Sequence, residues 1–441
     1  MTKFSFLLMA FVFFVSDASA QDKYQDELLA DLTYLASDDL KGRANFSPEI
    51  DVAADYIQNR FKEIGLKPFR GEKSFLQAVP VYKYAVTEAN LKLNNTVIDG
   101  VNLAVVSTAD GDSSFNLDML SVTHVGPGQE LKTELRQLNM LGGNHLVLID
   151  NSHVKWFNIY RNYFSRGLTK KSLSERGTLF LVLTDLTSVK SAVADAEVKL
   201  EIKELFNVVG VLPGQELKDE YVLYSSHYDH LGMMPEDQSS SADKDRIFNG
   251  ADDNASGTSA VINLAAQFAA QNKNKRTLIF SAFSGEEIGG FGSKFFSKQL
   301  DPAKIIAMVN IEMIGKPSKF GPGITWITGP KRSNFMTLIN NYLEPEGIKV
   351  HADPYPDQRL FYRSDNASLA KFGVPAHSFS TTQLDKDIHY HQVTDDVSTL
   401  NLESMNNVVN TIKLFSEGIN DGTITPSRIE PKPEQASGKI Y

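Results

Sequence analysis

In "YQDELLADLTYLAS" the apolar residues Leu28, Leu29, Leu32 and Leu35 fall at the three-to-four spacing of one helix face. "DDLKGRANFS" has no period and reads as a loop. Ser47 before Pro48 predicts a helix start, because Ser can cap free N–H groups and Pro suits the first turn. Ala53, Ile57, Phe61 and Ile64 then share a face, and Gly65 and Pro68 end it. From about 86 to 205 the pattern is irregular. "HLVLID" (145–150) and "TLFLVLTDL" (178–186) look like strands, "VKLEIK" (198–203) alternates, and the basic stretch from Arg161 to Lys171 reads as a solvated face or loop. From 206 the pattern sharpens. "FNVVGVLPG", "YVLYSS", "TLIFSAFS", "AKIIAMVNIEMIG", "GITWIT" and "VPAHSFS" predict strands, and "ASGTSAVINLAAQFAAQ" a helix with Val261, Leu264, Ala265 and Phe268 on one side. Strands alternating with helices predict an α/β fold, a central mostly parallel mixed sheet flanked by helices. The expected organisation is residues 21–85 and 206–420 as the main domain, 86–205 as an inserted α/β domain, and 421–441 as a Pro-rich flexible tail.

The first twenty residues break this pattern. Lys3, an apolar run from Phe4 to Val15, and Ala18-Ser19-Ala20 form the charge, hydrophobic core and cleavage site of a secretory signal. The expectation is an exported protein, periplasmic or secreted, whose mature chain starts near Gln21 and has no stable membrane insertion. The net charge of −10 disfavours nucleic acid as a partner. The chain has no cysteine. Disulfides, thiolate nucleophiles and cysteine ligands are therefore excluded, and any metal must be held by His, Asp and Glu.

Such residues gather at the ends of the predicted strands. His227, Asp229 and His230 follow "YVLYSS"; Asp252 and Asp253 open the long helix; Glu286 and Glu287 follow "TLIFSAFSG"; Glu312 interrupts an apolar run; and "DIHYHQVTDD" brings His389, His391, Asp395 and Asp396. In a parallel sheet, ligands sit at the carboxyl ends of strands. A buried acid is costly unless paired or metal-bound, so Glu312 is either a metal ligand or the partner of a buried Arg or Lys. The adjacent pair Glu286–Glu287 suggests divided work: one carboxylate binds a metal, and the other takes a proton from water whose pKa the metal lowers. A sulfur-free set of N and O donors suits catalytic zinc.

Taken together, "SSHYDHLG", "NGADDNASGTSA", "FSGEEIGGFGS", "NIEMIG" and "HYHQVTDD" resemble, in order, the motifs of the co-catalytic di-zinc aminopeptidases. That family also includes glutamate carboxypeptidase II, glutaminyl cyclases and the inactive transferrin receptor. "LTYLASDDLKGR" and "AADYIQNRFKEIGLKPF" resemble the lead-in of its exported bacterial members. The likeness covers most of 25–85 and 206–415, and 86–205 falls where many members carry a protease-associated insertion. The resemblance implies two zinc ions. His227 would bind one, oriented by Asp229. Asp252 would bridge both, and Asp253 would sit across a cis peptide. Glu287 and His391 would complete the other site, with Glu286 as general base. Glu312 stands where the family usually has Asp and would complete the His227 site.

Tyr390, Arg363, Ser364 and Asp365 are candidate substrate contacts, the last three alternatively a structural loop. His389 is expected at the rim, His230 as a loop-shaping residue, and His377 as a core histidine with satisfied hydrogen bonds. His124, His145, His153 and His351 have no convergent context. The implied function is hydrolysis of N-terminal residues from peptides. A glutamate-type carboxypeptidase would need a basic pocket, with Arg332, Arg359 and Arg363 as candidates. A glutaminyl cyclase typically carries Trp before the last ligand, where this chain has Tyr390. A non-catalytic binding protein would have lost Glu286 or several ligands, and none is missing.

Overall fold

The computed structural model describes residues 22–173, 175–235, 245–432 and 438–441; the expected signal at 1–20 lies outside them. The chain forms two compact units. One is built from the residues up to Val79 and those from Leu205 onward, the other from Pro80–Glu204 and the last few residues. Among the described residues no helix is long and apolar enough to cross a membrane.

The first unit is centred on a mixed sheet. Its strands are β1 (Ala192–Leu212, of which the part from Leu205 belongs here), β2 (Leu217–His227), β3 (Arg276–Phe283), β4 (Ile305–Ile311), β5 (Trp326–Ile327), β6 (His351–Ala352) and β7 (Ala376–Ser380). They lie in the order β6-β5-β7-β4-β2-β3-β1. The four central strands β7, β4, β2 and β3 run parallel, so their carboxyl ends share one edge. β3 is buried along its whole length, so apolar residues such as Leu278, Ile279, Phe280, Ala282 and Phe283 fall on both of its faces.

Helices cover the sheet. Helix α1 (22–35) buries Leu28, Leu32 and Leu35 and leaves Leu29 partly exposed. Helix α2 (Pro48–Ile64) starts as expected, with the Ser47 hydroxyl accepting from Ile50 N, and ends at Gly65 with φ 88°. Helices α3 (Gly257–Gln271), α4 (Phe335–Leu343), α5 (Asn366–Ala370) and α6 (Leu402–Asn420) follow. One core joins Ile57, Phe61, Val222, Phe280, Val309, Val408 and Phe415.

The second unit has a four-stranded sheet in the order Leu103–Ser107, Thr178–Leu183, Asn144–Ile149, Ser121–Val125. Two helices, Leu131–Leu141 and Val154–Phe164, contribute Leu135 and Phe157 to its core. The basic stretch read as a solvated face or loop is the end of that second helix followed by the short strand Leu168–Lys170.

The tail departs from expectation. Ile424 and Ile429 are buried in the first unit, and Ile440 packs into the core of the second. Each isoleucine stands alone among prolines and polar residues, so no periodic pattern betrays it. Backbone bonds from Ile424 N to Gly418 O and from Ile429 N to Gly373 O hold the irregular chain in place.

Candidate functional site

The edge formed by the carboxyl ends of β2, β3, β4 and β7 gathers the acids and histidines. His227 ends β2, Glu286 and Glu287 follow β3, Glu312 follows β4, and the loop after β7 carries Tyr390 and His391. At the centre lies Asp253. Its Oδ1 is 3.2 Å from His227 Nε2, and its Oδ2 is 3.2 Å from His391 Nε2. His227 Nε2 is also 3.2 Å from Glu312 Oε1, and His391 Nε2 is 3.4 Å from Glu287 Oε2. Two three-residue donor sets, His227–Asp253–Glu312 and His230–Asp253–Glu287, have donor atoms within 4.8 Å of one another. His391 stands beside the second.

The shared acid is thus Asp253, not Asp252, a correction of one residue. Between Ala251 and Ser256 the backbone winds in a tight turn in which Asp253 and Asn254 leave helical φ/ψ, and this sends neighbouring side chains in opposite directions. The cis peptide joins Asp253 to Asn254. Asp252 Oδ1 accepts from Gly315 N at 2.7 Å, and Oδ2 lies 3.4 Å from Lys316 Nζ. Burial, with Asp395 nearby, pushes the Asp252 carboxyl up to about 7. Lys316 also pairs with Asp387 at 3.0 Å and Asp395 at 3.4 Å. The Asp395 carboxylate in turn accepts from the backbone N of Asp252 and of Asp253. One ammonium and one carboxylate therefore tie the His391 loop to the central turn.

Asp229 differs from expectation as well. The hydrogen-bond partner of His227 Nδ1 is the Asp229 backbone carbonyl, at 3.1 Å, whereas the Asp229 carboxylate lies 3.8 Å away. That carboxylate instead accepts from the backbone N of Glu286 and Glu287, at 3.1 and 3.2 Å, and from Asn45 Nδ2 at 2.7 Å. It anchors the Glu pair.

The two glutamates have opposite acidities. Glu286 is pushed well above its usual value by burial, with Glu312 and Asp365 adding to the shift against the opposing His227. Burial pushes Glu287 up too, but hydrogen bonding with His230 and His391 outweighs it and leaves Glu287 at about 2. For His391, bonding to Asp253 and then Glu287 raises the imidazole to about 10.

A cavity of about 100 Å³ opens at this edge, lined by Glu286, Glu312, Met313, Trp326 and Leu384 among others. Arg363, Ser364 and Tyr390 line it; Asp365 does not. Asp365 is buried at the start of α5, raised to about 7 by burial, and its carbonyl accepts from Ser368 N. The Ser364 hydroxyl donates to Glu312 Oε2 at 2.6 Å. Tyr390 stacks on His391, with centroids 4.0 Å apart. His389 bonds Thr394 and stays outside both donor sets. His377 is buried, with Nδ1 2.7 Å from Thr328 O and Nε2 2.8 Å from Ser333 Oγ. His124, His145, His153 and His351 lie in neither donor set.

Sequence reading missed Arg43 and Lys316, and gave His230 only a loop-shaping role. Arg43 is fully buried and donates to the carbonyls of Tyr228, Asn249, Gly250 and Leu35. Burial lowers it to about 10, still a cation, with Asp229 and Asp253 acting against the fall. No period marks a lone arginine in a loop. His230 gave a weak signal as the second His of "HYDH". It sits 2.9 Å from Glu287 Oε1.

Residues 207–416 match the model described as Peptidase family M28. A probable zinc metalloprotease of Pyrenophora teres f. teres is 28% identical over 197 residues, 44% of this chain and 40% of that protein. A probable zinc metalloprotease of Pyrenophora tritici-repentis is 28% identical over 197 residues, 44% of this chain and 43% of its own. The chain thus spans well under half the length of these curated relatives. Among solved structures, the aminopeptidase from Aneurinibacillus sp. strain AM-1 superposes with a TM-score of 0.53 at 17% identity, over 93% of this chain and 96% of that one. A zinc aminopeptidase from Bacillus subtilis gives 0.54 at 16% identity, over 95% and 98%. At these identities the likeness is one of fold.

Proposed function

With residues 207–416 belonging to peptidase family M28, we propose that this chain is a zinc-dependent exopeptidase that removes N-terminal residues from peptides. The observation that carries the reading is Asp253, whose two oxygens face two separate histidines, beside a glutamate of raised pKa.

The donor set fits zinc. It is composed of imidazole nitrogens and carboxylate oxygens, with donor atoms within 4.8 Å of one another in each of two sets and His391 Nε2 3.2 Å from Asp253 and 3.4 Å from Glu287. In this reading His227, Asp253 and Glu312 hold one ion, and Asp253, Glu287 and His391 hold the second. Bound zinc would lower the pKa of water toward neutrality and polarise a peptide carbonyl.

The remaining chemistry belongs to the chain. Glu287, held at about 2, stays ionised as a ligand across the working pH range. Glu286, raised by burial, suits a general base that takes a proton from water and passes it to the departing amine nitrogen. The Asp229 carboxylate fixes the backbone of both and so their separation. In this reading the cavity of about 100 Å³ beside them would receive the side chain of the residue to be released. Release of a C-terminal residue is a second reading, favoured by Arg363 on the same cavity. The features of residues 1–20 support export.

The test is Glu286→Gln. Peptide hydrolysis should fall by roughly 10²–10⁴, with zinc content by elemental analysis unchanged. Full activity in this variant would remove Glu286 from the chemistry.

A further inference from the structure

The terminal carboxylates at the centre share a pattern. Glu287 turns Oε2 toward His391 at 3.4 Å and gives Oε1 to His230 Nδ1 at 2.9 Å. Glu312 turns Oε1 toward His227 at 3.2 Å and gives Oε2 to the Ser364 hydroxyl at 2.6 Å. Each thus has one oxygen facing inward and one held from outside. Asp253 alone directs both oxygens inward.

We propose that His230 and Ser364 are positioning residues, each fixing one terminal glutamate as a one-oxygen metal donor and so setting the affinity of one of the two sites separately. The inference rests on the two-zinc reading above.

Both outer donors are themselves fixed. Asn310 Nδ2 donates to Ser364 Oγ at 2.8 Å, which leaves the Ser364 hydrogen for Glu312. Asn310 is held by Ser225 Oγ, which donates to its Oδ1 at 2.7 Å. On the other side, His230 N donates to Arg43 O at 3.2 Å. Gly250 packs so closely that a Cβ there would lie 2.5 Å from a carbon of the His230 ring. His230 Nε2 is buried without a hydrogen-bond partner, while a carboxylate faces Nδ1. The ring hydrogen therefore sits on Nδ1, the atom that serves Glu287.

Outer hydrogen bonds of this kind orient a ligand, and their loss typically weakens metal binding 10–100-fold. The arrangement also accounts for Glu at position 312. Its carboxylate reaches the centre with one oxygen while the other stays within reach of Ser364.

The experiment is zinc titration of the metal-free full chain by calorimetry with a competing chelator, with folding checked by circular dichroism. Wild type should show two binding steps. Ser364→Ala should weaken one step about 10–100-fold, and Ser364→Thr, which keeps the hydroxyl, should restore it. His230→Leu should weaken the other step, and His230→Asn, which keeps an N–H near the place of Nδ1, should restore it. If Ser364→Ala and His230→Leu leave both steps unchanged, or weaken the same step, the inference fails. If His230→Asn binds as poorly as His230→Leu, the imidazole itself is a ligand and the positioning role is overturned. A wild type that binds fewer than two zinc ions overturns the two-zinc reading first, and this inference with it.

Discussion

Asp252 and Asp253 are chemically identical neighbours, and the turn from Ala251 to Ser256 sends them to opposite sides. Asp253 faces two histidines, whereas Asp252 faces a lysine and a backbone N–H. Removing the charge from each should therefore have different effects. On the proposed two-zinc reading, Asp253→Asn should abolish zinc binding, measured by elemental analysis after dialysis, because this one carboxylate faces both His227 and His391. Asp252→Asn should retain the metals and instead lower stability, since Lys316 loses one of its three carboxylates. Equal zinc loss in the two variants would contradict this assignment. The distinction was not legible in "NGADDNASG": both acids are competent ligands there, and only the winding of the backbone decides which one faces inward. For the adjacent glutamates the resemblance implies ligand and base, and their acidities are shifted in opposite directions, Glu286 upward by burial and Glu287, against burial, downward by hydrogen bonding with His230 and His391.

The elements that carry the site were easier to read than the contacts between them. Strands β2, β3 and β4 announced themselves as apolar runs ending in acids or a histidine, and helix α2 had its cap and its terminal glycine in plain view. Contacts between loops leave no such trace. Arg43 gathers carbonyls from before and after β2, and Lys316 ties three loop acids together, yet neither stands in a periodic pattern. His377 on β7 was legible as a core histidine, and it carries a consequence for pH. Burial lowers it from 6.5 to about 4, so it stays neutral in the fold when the unfolded chain would bind a proton. The unfolded state gains protons first as pH falls. Stability is therefore lost progressively from about pH 6.5 toward 4, by roughly 3 kcal/mol from this group. Urea unfolding across that range should show a shallower loss in His377→Asn than in wild type. Parallel pH curves for the two would contradict the prediction.

At the scale of the molecule, an ordinary net charge of −10 conceals a strong local imbalance. Asp229, Asp253, Glu287, Glu312 and Glu286 gather at one sheet edge, and the buried Arg43 interacts electrostatically with Asp229, Asp253 and Glu287 among them. Such a concentration of carboxylates suits dications, and a substrate that presents its own positive end. The fold class followed from alternating strands and helices, while the packed tail escaped notice because three isolated isoleucines hold it. The central claim is chain-end hydrolysis dependent on this centre. It is tested most directly by mass spectrometry of products from one peptide offered with a free, an acetylated and a C-terminally amidated end, each with and without chelator. The account predicts stepwise loss of single residues from free N-termini alone, unaffected by C-terminal amidation, stopped by chelator and restored by zinc. Shortening of the acetylated peptide, by internal cuts or from its C-terminus, would contradict it.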